Sequence, residues 1–255
     1  MLRHVRRLVV GQRMPVACTT STFITQRGLC SAREIDWQSC GPRPVPYSAA
    51  LRWQRRLQES VRTGGALDSC IALEHCQVYT LGRAATEDNV KFKPGDGIEL
   101  LRVERGGEVT YHGPGQLVVY FIFDLNRHKR DLHWFVHTIE QVIIDTIARY
   151  GIEGRRDDGY PGVWVGDEKI AAVGISVSRW TTMHGVAINV APELSDFERI
   201  IPCGIEDRTV TSMHKVLAER GAAAPTIVDV ESAVMEEVCD KFGVQASVTH
   251  PTIPL

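Results

Sequence analysis

Arg105-Gly106-Gly107-Glu108-Val109-Thr110-Tyr111-His112-Gly113-Pro114-Gly115-Gln116, followed by the uncharged run Leu117 to Phe123, decides how this 255-residue chain is read. The Gly-Gly pair interrupts the backbone before a short extended piece. Gly113-Pro114-Gly115 turns the chain back, and the apolar run then reads as a buried strand. Before this stretch, Leu51, Leu57 and Val61 recur at helical spacing ahead of Gly64-Gly65, with Arg52, Arg55 and Arg56 as a basic face. A strand-like run from Ile71 to His75 continues as Val78 to Leu81, and Glu99 to Val103 reads as a further extended piece. After it, Phe135, Ile139, Val142, Ile143 and Ile147 predict an amphipathic helix that begins at Asp131 and stops at Gly151. Tyr160 to Val165 and Ile170 to Val177 pair as a hairpin around Gly166-Asp167-Glu168, with Lys169 at the start of the return strand. Gly185 to Val190 gives one more strand, Pro202-Cys203-Gly204 a loop, and Thr226 to Phe242 a closing helix. Strands in runs with helices inserted predict an α+β fold, a mixed β-sheet with flanking helices, over a doubly wound one.

Composition narrows the function. With 44% hydrophobic and 24% charged residues the chain has the balance of a soluble globular protein. Its longest apolar stretch falls far short of the roughly 20 residues that cross a bilayer, so no membrane insertion is expected. Cys18, Cys30, Cys40, Cys70, Cys76, Cys203 and Cys239 form no CxxC pair and no zinc-ligand rhythm. No metal is expected, and the cysteines read as free thiols of a reducing compartment. Residues 1–33 carry Arg3, Arg6, Arg7, Arg13, Arg27 and Arg33, no lysine and no acid, with hydroxyls at Thr19, Thr20, Ser21, Thr22 and Thr25. That pattern predicts a mitochondrial transit peptide and hence a matrix protein, with a plastid address as the rival. The stiff Gly41-Pro42-Arg43-Pro44-Val45-Pro46 falls in an expected linker over 34–46, and the catalytic domain is expected over 47–255. Without the leader, 29 minus 6 leaves 23 basic residues against 31 acids, a formal charge of −8. Nucleic acid is therefore not the expected partner.

Three glycine-marked segments are the candidates for chemistry: Arg105 to Gln116; Lys169-Ile170-Ala171-Ala172-Val173-Gly174; and His184-Gly185-Val186-Ala187-Ile188-Asn189 with Pro202-Cys203-Gly204 beyond it. Glycines beside strands let a ligand approach the backbone, and Ala171, Ala172 and Ala187 leave room for something slender. Residue types alone leave these segments open to a plainer reading, as turns and solvated charges. No zinc or phosphate-loop pattern is present, and Gly106-Gly107 lacks dinucleotide-fingerprint spacing.

At these same residues, and at Thr80-Leu81-Gly82-Arg83 and Tyr160-Pro161-Gly162-Val163-Trp164, the chain resembles the lipoyl(octanoyl) transferase family of the lipoate and biotin ligase superfamily. The match runs from about Ile71 to Ser212, and Cys76-Gln77 departs from it where the family commonly places proline. The resemblance implies a ligase-like catalytic domain that transfers an octanoyl group from octanoyl-acyl carrier protein to a lysine of lipoyl domains. Those domains belong to 2-oxoacid dehydrogenase subunits and the glycine cleavage H protein. It implies no cofactor, and it makes Cys203 and Lys169 the catalytic pair. Acyl-pocket positions follow from it too: Arg105, Gly106, Gly107, Glu108, Val109, Thr110, Tyr111 and His112; Ala172, Val173 and Gly174; Gly185, Val186 and Ala187.

The residue types suit that chemistry. A thiolate attacks a thioester carbonyl well, and the resulting acyl-cysteine stays reactive toward an amine. A free thiol, with pKa near about 8.5, needs a neighbour that takes its proton, and a partly desolvated Lys169 could do so and later deprotonate the acceptor lysine. Eight carbons in an apolar groove, at roughly 0.8 kcal/mol per buried CH₂, would contribute about 5 kcal/mol to binding. The rivals are a lipoate- or biotin-type protein ligase, which needs ATP and no cysteine, a catalytically silent acyl-binding domain, and a thioesterase using His112 or His184 as base.

Overall fold

The computed structural model describes residues 32–93, 97–157, 159–201 and 209–251, all within one compact unit, Ala32–Leu255. Ile35 and Trp37 alternate with Glu34, Asp36 and Gln38, which gives the segment one apolar face, and it forms β1 (Arg33–Ser39). This strand lies parallel to β2 (Ser69–Leu73) on one side and to β10 (Val244–Thr249) on the other. The expected linker over 34–46 is therefore corrected in its first half. The alternation of Ile35 and Trp37 with polar neighbours makes residues 33–39 a strand.

β6 (Gln116–Ile122), β9 (Thr181–Asn189), β8 (Glu168–Ser178) and β7 (Val163–Val165) complete a seven-stranded mixed sheet in the order β10-β1-β2-β6-β9-β8-β7. The run from Ile71 to Leu81, expected as one strand, divides at His75-Cys76-Gln77. Its second half, β3 (Val78–Leu81), belongs to a separate three-stranded sheet, between β4 (Leu100–Arg102) and β5 (Val109–His112). His75 leaves the strand to be held elsewhere: its Nδ1 lies 2.8 Å from the Val45 carbonyl and its Nε2 2.6 Å from the Tyr120 hydroxyl.

Helices cover both faces of the large sheet. α1 (Tyr47–Arg62) buries Ala49, Ala50 and Val61 against Val118, Tyr120, Ile122 and Ala187. On the opposite face lie α2 (Leu132–Ala148), capped by Asp131 accepting the Trp134 N–H at 3.0 Å, and α4 (Ile227–Phe242), capped reciprocally by Thr226 and Asp229. Phe121, Phe123, Phe135 and Phe242 meet there as one aromatic group. Full burial of a side chain this size stabilises by roughly 1.5–3 kcal/mol, so this face anchors the sheet. A short α3 (Met213–Glu219) precedes α4. Among the described residues no helix is long and apolar enough to cross a membrane.

Candidate active site

On the face of the large sheet that α1 flanks, β6, β9 and β8 align a series of small and polar residues. Gln116 pairs with Asn189, Val118 with Ala187 and Tyr120 with Gly185, while Ala172 and Gly174 pair with Ala187 and Gly185. Only glycine serves at 185, because a β-carbon there would lie 1.9 Å from the Val119 carbonyl oxygen. At Gly174 a β-carbon would stand 3.1 Å from Arg105 Cδ. These glycines let neighbouring backbone approach closely, and a cavity of about 410 Å³ lies between this face and the Arg105–Thr110 segment.

The facing wall is stitched down by backbone and guanidinium bonds. Gly106 N–H donates to the Ile175 carbonyl at 3.1 Å, and the buried Arg105 guanidinium donates to the Thr80 carbonyl and hydroxyl at 2.7 and 2.8 Å. Arg105 thus both lines the cavity and ties the glycine-rich loop to β3.

At one end stands Lys169. It is only 7% exposed, its Nζ donates to the Pro161 carbonyl at 3.2 Å, and the same nitrogen lies 4.7 Å from the centre of the Trp164 ring. These two contacts orient the amino group despite its burial. Gly162, next to Pro161, donates its N–H to the buried Glu140 carboxylate of α2 at 2.9 Å. The Lys169 backbone is clamped as well, its N–H donating to the Thr209 carbonyl and its carbonyl accepting from the Thr211 N–H, each at 3.0 Å. A polar chain continues from there: Thr211 carbonyl to Asn189, Asn189 to Gln116, Gln116 to His112 Nδ1. Because the Gln116 oxygen accepts, His112 carries its proton on Nδ1. Burial, then the His75 and Arg105 charges, hold its imidazole well below the usual range. His112 is thus fixed by its Gln116 bond where it lines the cavity.

Of the positions expected from sequence, Arg105 to Thr110, His112, Lys169, Ala172 to Gly174 and Gly185 to Ala187 all line this one cavity. Tyr111 is not among the lining residues. Strand alternation turns it the other way, onto Tyr79 and Phe197 in the core of the small sheet. Cys203 lies outside the described residues. The described residues that flank it are Ile201, whose N–H donates to the Asn89 carbonyl at 2.8 Å, and Thr209, which bonds Lys169. Of the described cysteines, Cys40, Cys70, Cys76 and Cys239, none lines the cavity. Burial pushes the Cys70 thiol well up and the Cys40 thiol up to about 12, so neither is a ready nucleophile.

Sequence reasoning missed Tyr47, Val118, Tyr120, Leu132, Val136 and Phe197 as cavity residues. Aromatic and aliphatic residues inside apolar runs carry no signal that separates a cavity wall from a packed core. Tyr47, pushed up to about 12 mainly by burial, and Tyr120 remain neutral phenols.

With that geometry in place, comparison with known proteins is direct. A family model described as the lipoyl protein ligase A/B catalytic domain matches residues 46–239. An octanoyltransferase of Thermosynechococcus vestitus is 50% identical over 187 residues, which are 72% of this chain and 82% of that protein. An octanoyltransferase of Gloeobacter violaceus is 47% identical over 205 residues, 80% of this chain and 89% of the relative. Among solved structures, a T. acidophilum protein described as a lipoate protein ligase, with bound lipoic acid, superposes with a TM-score of 0.68 at 14% identity, covering 87% of this chain and 90% of the other. At that identity the superposition speaks for the fold alone.

Proposed function

From the premise that this chain belongs to the lipoyl protein ligase A/B catalytic family, with octanoyltransferases among its relatives, we propose that it transfers an octanoyl group from octanoyl-acyl carrier protein to a lysine of lipoyl domains. The acceptors are those of 2-oxoacid dehydrogenase subunits and the glycine cleavage H protein. The observation that carries the proposal is a narrow cavity floored by Ala172, Gly174, Gly185 and Ala187 that ends at a buried, oriented lysine. An unbranched acyl chain fits such a floor, and its thioester would lie at the Lys169 end.

The reaction runs in two balanced steps. The Cys203 sulfur attacks the thioester carbonyl as its proton passes to Lys169, the carrier thiolate leaves and takes that proton from Lys169, and an acyl-cysteine results with Lys169 neutral again. The acceptor amine then attacks that carbonyl, losing its proton to Lys169, and the Cys203 thiolate leaves, so that an amide forms and the thiol is regenerated. This sequence needs a neutral Lys169 at the moment of each proton transfer. The Trp164 ring and the Pro161 carbonyl position it.

The test is intact-mass analysis after mixing the full protein with octanoyl-acyl carrier protein. An octanoyl adduct on Cys203, discharged by an added lipoyl domain without ATP, is expected. A strict ATP requirement with free octanoate as donor would select the ligase reading instead. The leader is proposed to direct organellar import, to mitochondria on its arginine content. A reporter fused to residues 1–33 tests this, with plastid accumulation selecting the rival address and cytosolic retention rejecting import.

A further inference from the structure

The cavity-lining residues of three strands run out at the same place. On β6 the last is Tyr120, on β8 Ile175 and on β9 His184, and these sit on adjacent rungs, Tyr120 opposite Gly185 and Ile175 opposite His184. The series begins at the other end with Gln116, Asn189 and Lys169. Asn189 and His184 are five residues apart, about 17 Å at the strand rise. An extended octanoyl group spans no more than about 10 Å at about 1.5 Å per C–C bond. The lining thus exceeds one octanoyl chain by about 7 Å, so the side chains at its ends decide how much of it a chain can use.

His184 occupies its end on unusual terms. It is 1% exposed, and its φ of 66° puts a residue with a β-carbon in the left-handed region. Its backbone N–H is held by the Gln54 side-chain oxygen of α1 at 3.0 Å. Strict alternation would place residue 184 on the face of Val186 and Ile188; instead its ring meets Tyr120 edge to face at 6.3 Å, on the cavity side. Among the described residues neither ring nitrogen has a hydrogen-bond partner. A histidine kept for structure would spend its nitrogens on bonds, as His75 and His112 do. This one contributes the volume of its ring where the lining of β9 ends.

We infer that the His184 imidazole is the end wall of the acyl slot and fixes the longest unbranched chain the protein accepts, an inference that rests on the acyl-transfer reading above. Removing the ring opens the slot toward Tyr120 and Gln54. Each methylene newly accommodated then favours the longer chain by a factor of about four.

The experiment compares the full protein with His184→Gly, which the left-handed backbone suits, and His184→Phe, which keeps a ring of similar bulk without the nitrogens. Binding of free straight-chain acids of six to fourteen carbons is measured by displacement of a fluorescent fatty acid, alongside transfer from acyl carrier protein loaded with the same chains. Wild type is expected to fall off beyond eight carbons. His184→Gly should improve dodecanoyl relative to octanoyl by tenfold or more in both assays, and His184→Phe should keep the wild-type cut-off. An unchanged length profile in His184→Gly, or losses equal at every length, overturns the inference. A His184→Phe profile that follows His184→Gly also overturns it, because the nitrogens and not the wall would then set length. If wild type binds chains with this cut-off but transfers none, the proposed activity fails while the wall stands; if it binds none, both fall.

Discussion

Lys169 is held by the Pro161 carbonyl and the Trp164 ring, so Lys169→Met, which retains most of the apolar stem, leaves the site packed and removes only the amine. Acylation and transfer should each fall by roughly 10²-fold or more, measured by single-turnover kinetics with the melting temperature unchanged within error. Cys203→Ala should form no adduct at all, whereas Cys70→Ala and Cys239→Ala should still form one. A separate expectation concerns His75. The Val45 carbonyl accepts only, so Nδ1 bears the proton and Nε2 accepts from Tyr120, and burial lowers the imidazole from 6.5 to about 4. With the folded value depressed, the unfolded chain binds the extra proton between the two values. Stability is therefore complete above about pH 6.5 and declines toward pH 4, by about 3 kcal/mol over the window from this group. Denaturant titrations from pH 7.5 to 4.5 should show that decline, and His75→Gln should make it shallower, the buried His112 and His184 supplying the rest. At this scale the sequence was legible where a residue type carries chemistry, as at Lys169. It was mute where Tyr47 or Tyr120 turns an ordinary aromatic into a cavity wall, since that depends on which strand stands opposite.

The elements that were read correctly announce themselves locally. α2 has an apolar stripe and Asp131 at its start, and β7 and β8 flank a tight Gly166-Asp167 turn. α4 opens with Thr226 and Asp229 three residues apart, each side chain bonding the other's backbone N–H. Thr226→Ala removes the half accepted by the hydroxyl, leaves the backbone N–H of residue 226 on the Asp229 carboxylate, and should cost about 1 kcal/mol. At this chain length that is a fall of about 2–4 °C in Tm, with transfer kinetics unaltered. A larger loss would mean that the helix start is also a tertiary anchor. The elements that escaped reading depend on partners distant in sequence. β10 is mostly exposed and becomes a strand because β1 offers it an edge more than two hundred residues earlier in the chain. α3 is only seven residues long, too short for a periodic stripe, and is fixed by Ser212 capping Lys215 N–H and by Met213, Val216 and Leu217 entering the core.

Across the whole molecule charge is unevenly useful. Residues 34–255 carry 23 basic residues against 31 acids, a formal −8, and acyl carrier proteins are generally acidic, so a donor of that kind needs a local basic surface. Two basic clusters differ in how they are paired. In the Arg127-His128-Lys129-Arg130 run, Arg127 pairs with Asp68 and Asp124, His128 with Asp68, and Lys129 with Asp131, so three of its four residues already face acids. On α1, Arg55 pairs with Glu104, but Arg52 and Arg56 are exposed one turn apart, and among the described residues neither is in an ion pair. The same helix supplies Tyr47 to the cavity and Gln54 to the His184 backbone, which places its basic face on an element that borders the acyl slot. Reversing Arg52 and Arg56 to glutamate should raise the KM for octanoyl-acyl carrier protein several-fold, since charges at a rim act mainly on encounter. Octanoyl-coenzyme A, a minimal donor without the acidic protein, should lose little in the same variant. Added salt should reproduce the effect on wild type and have less to remove from the variant, because such a field decays over about 8 Å at physiological ionic strength. Reversing Arg127 should behave differently, lowering stability through the stranded Asp68 and depressing both donors alike. Equal losses with both donors in the α1 variant would leave that face as solvated surface and move the docking site elsewhere on the molecule.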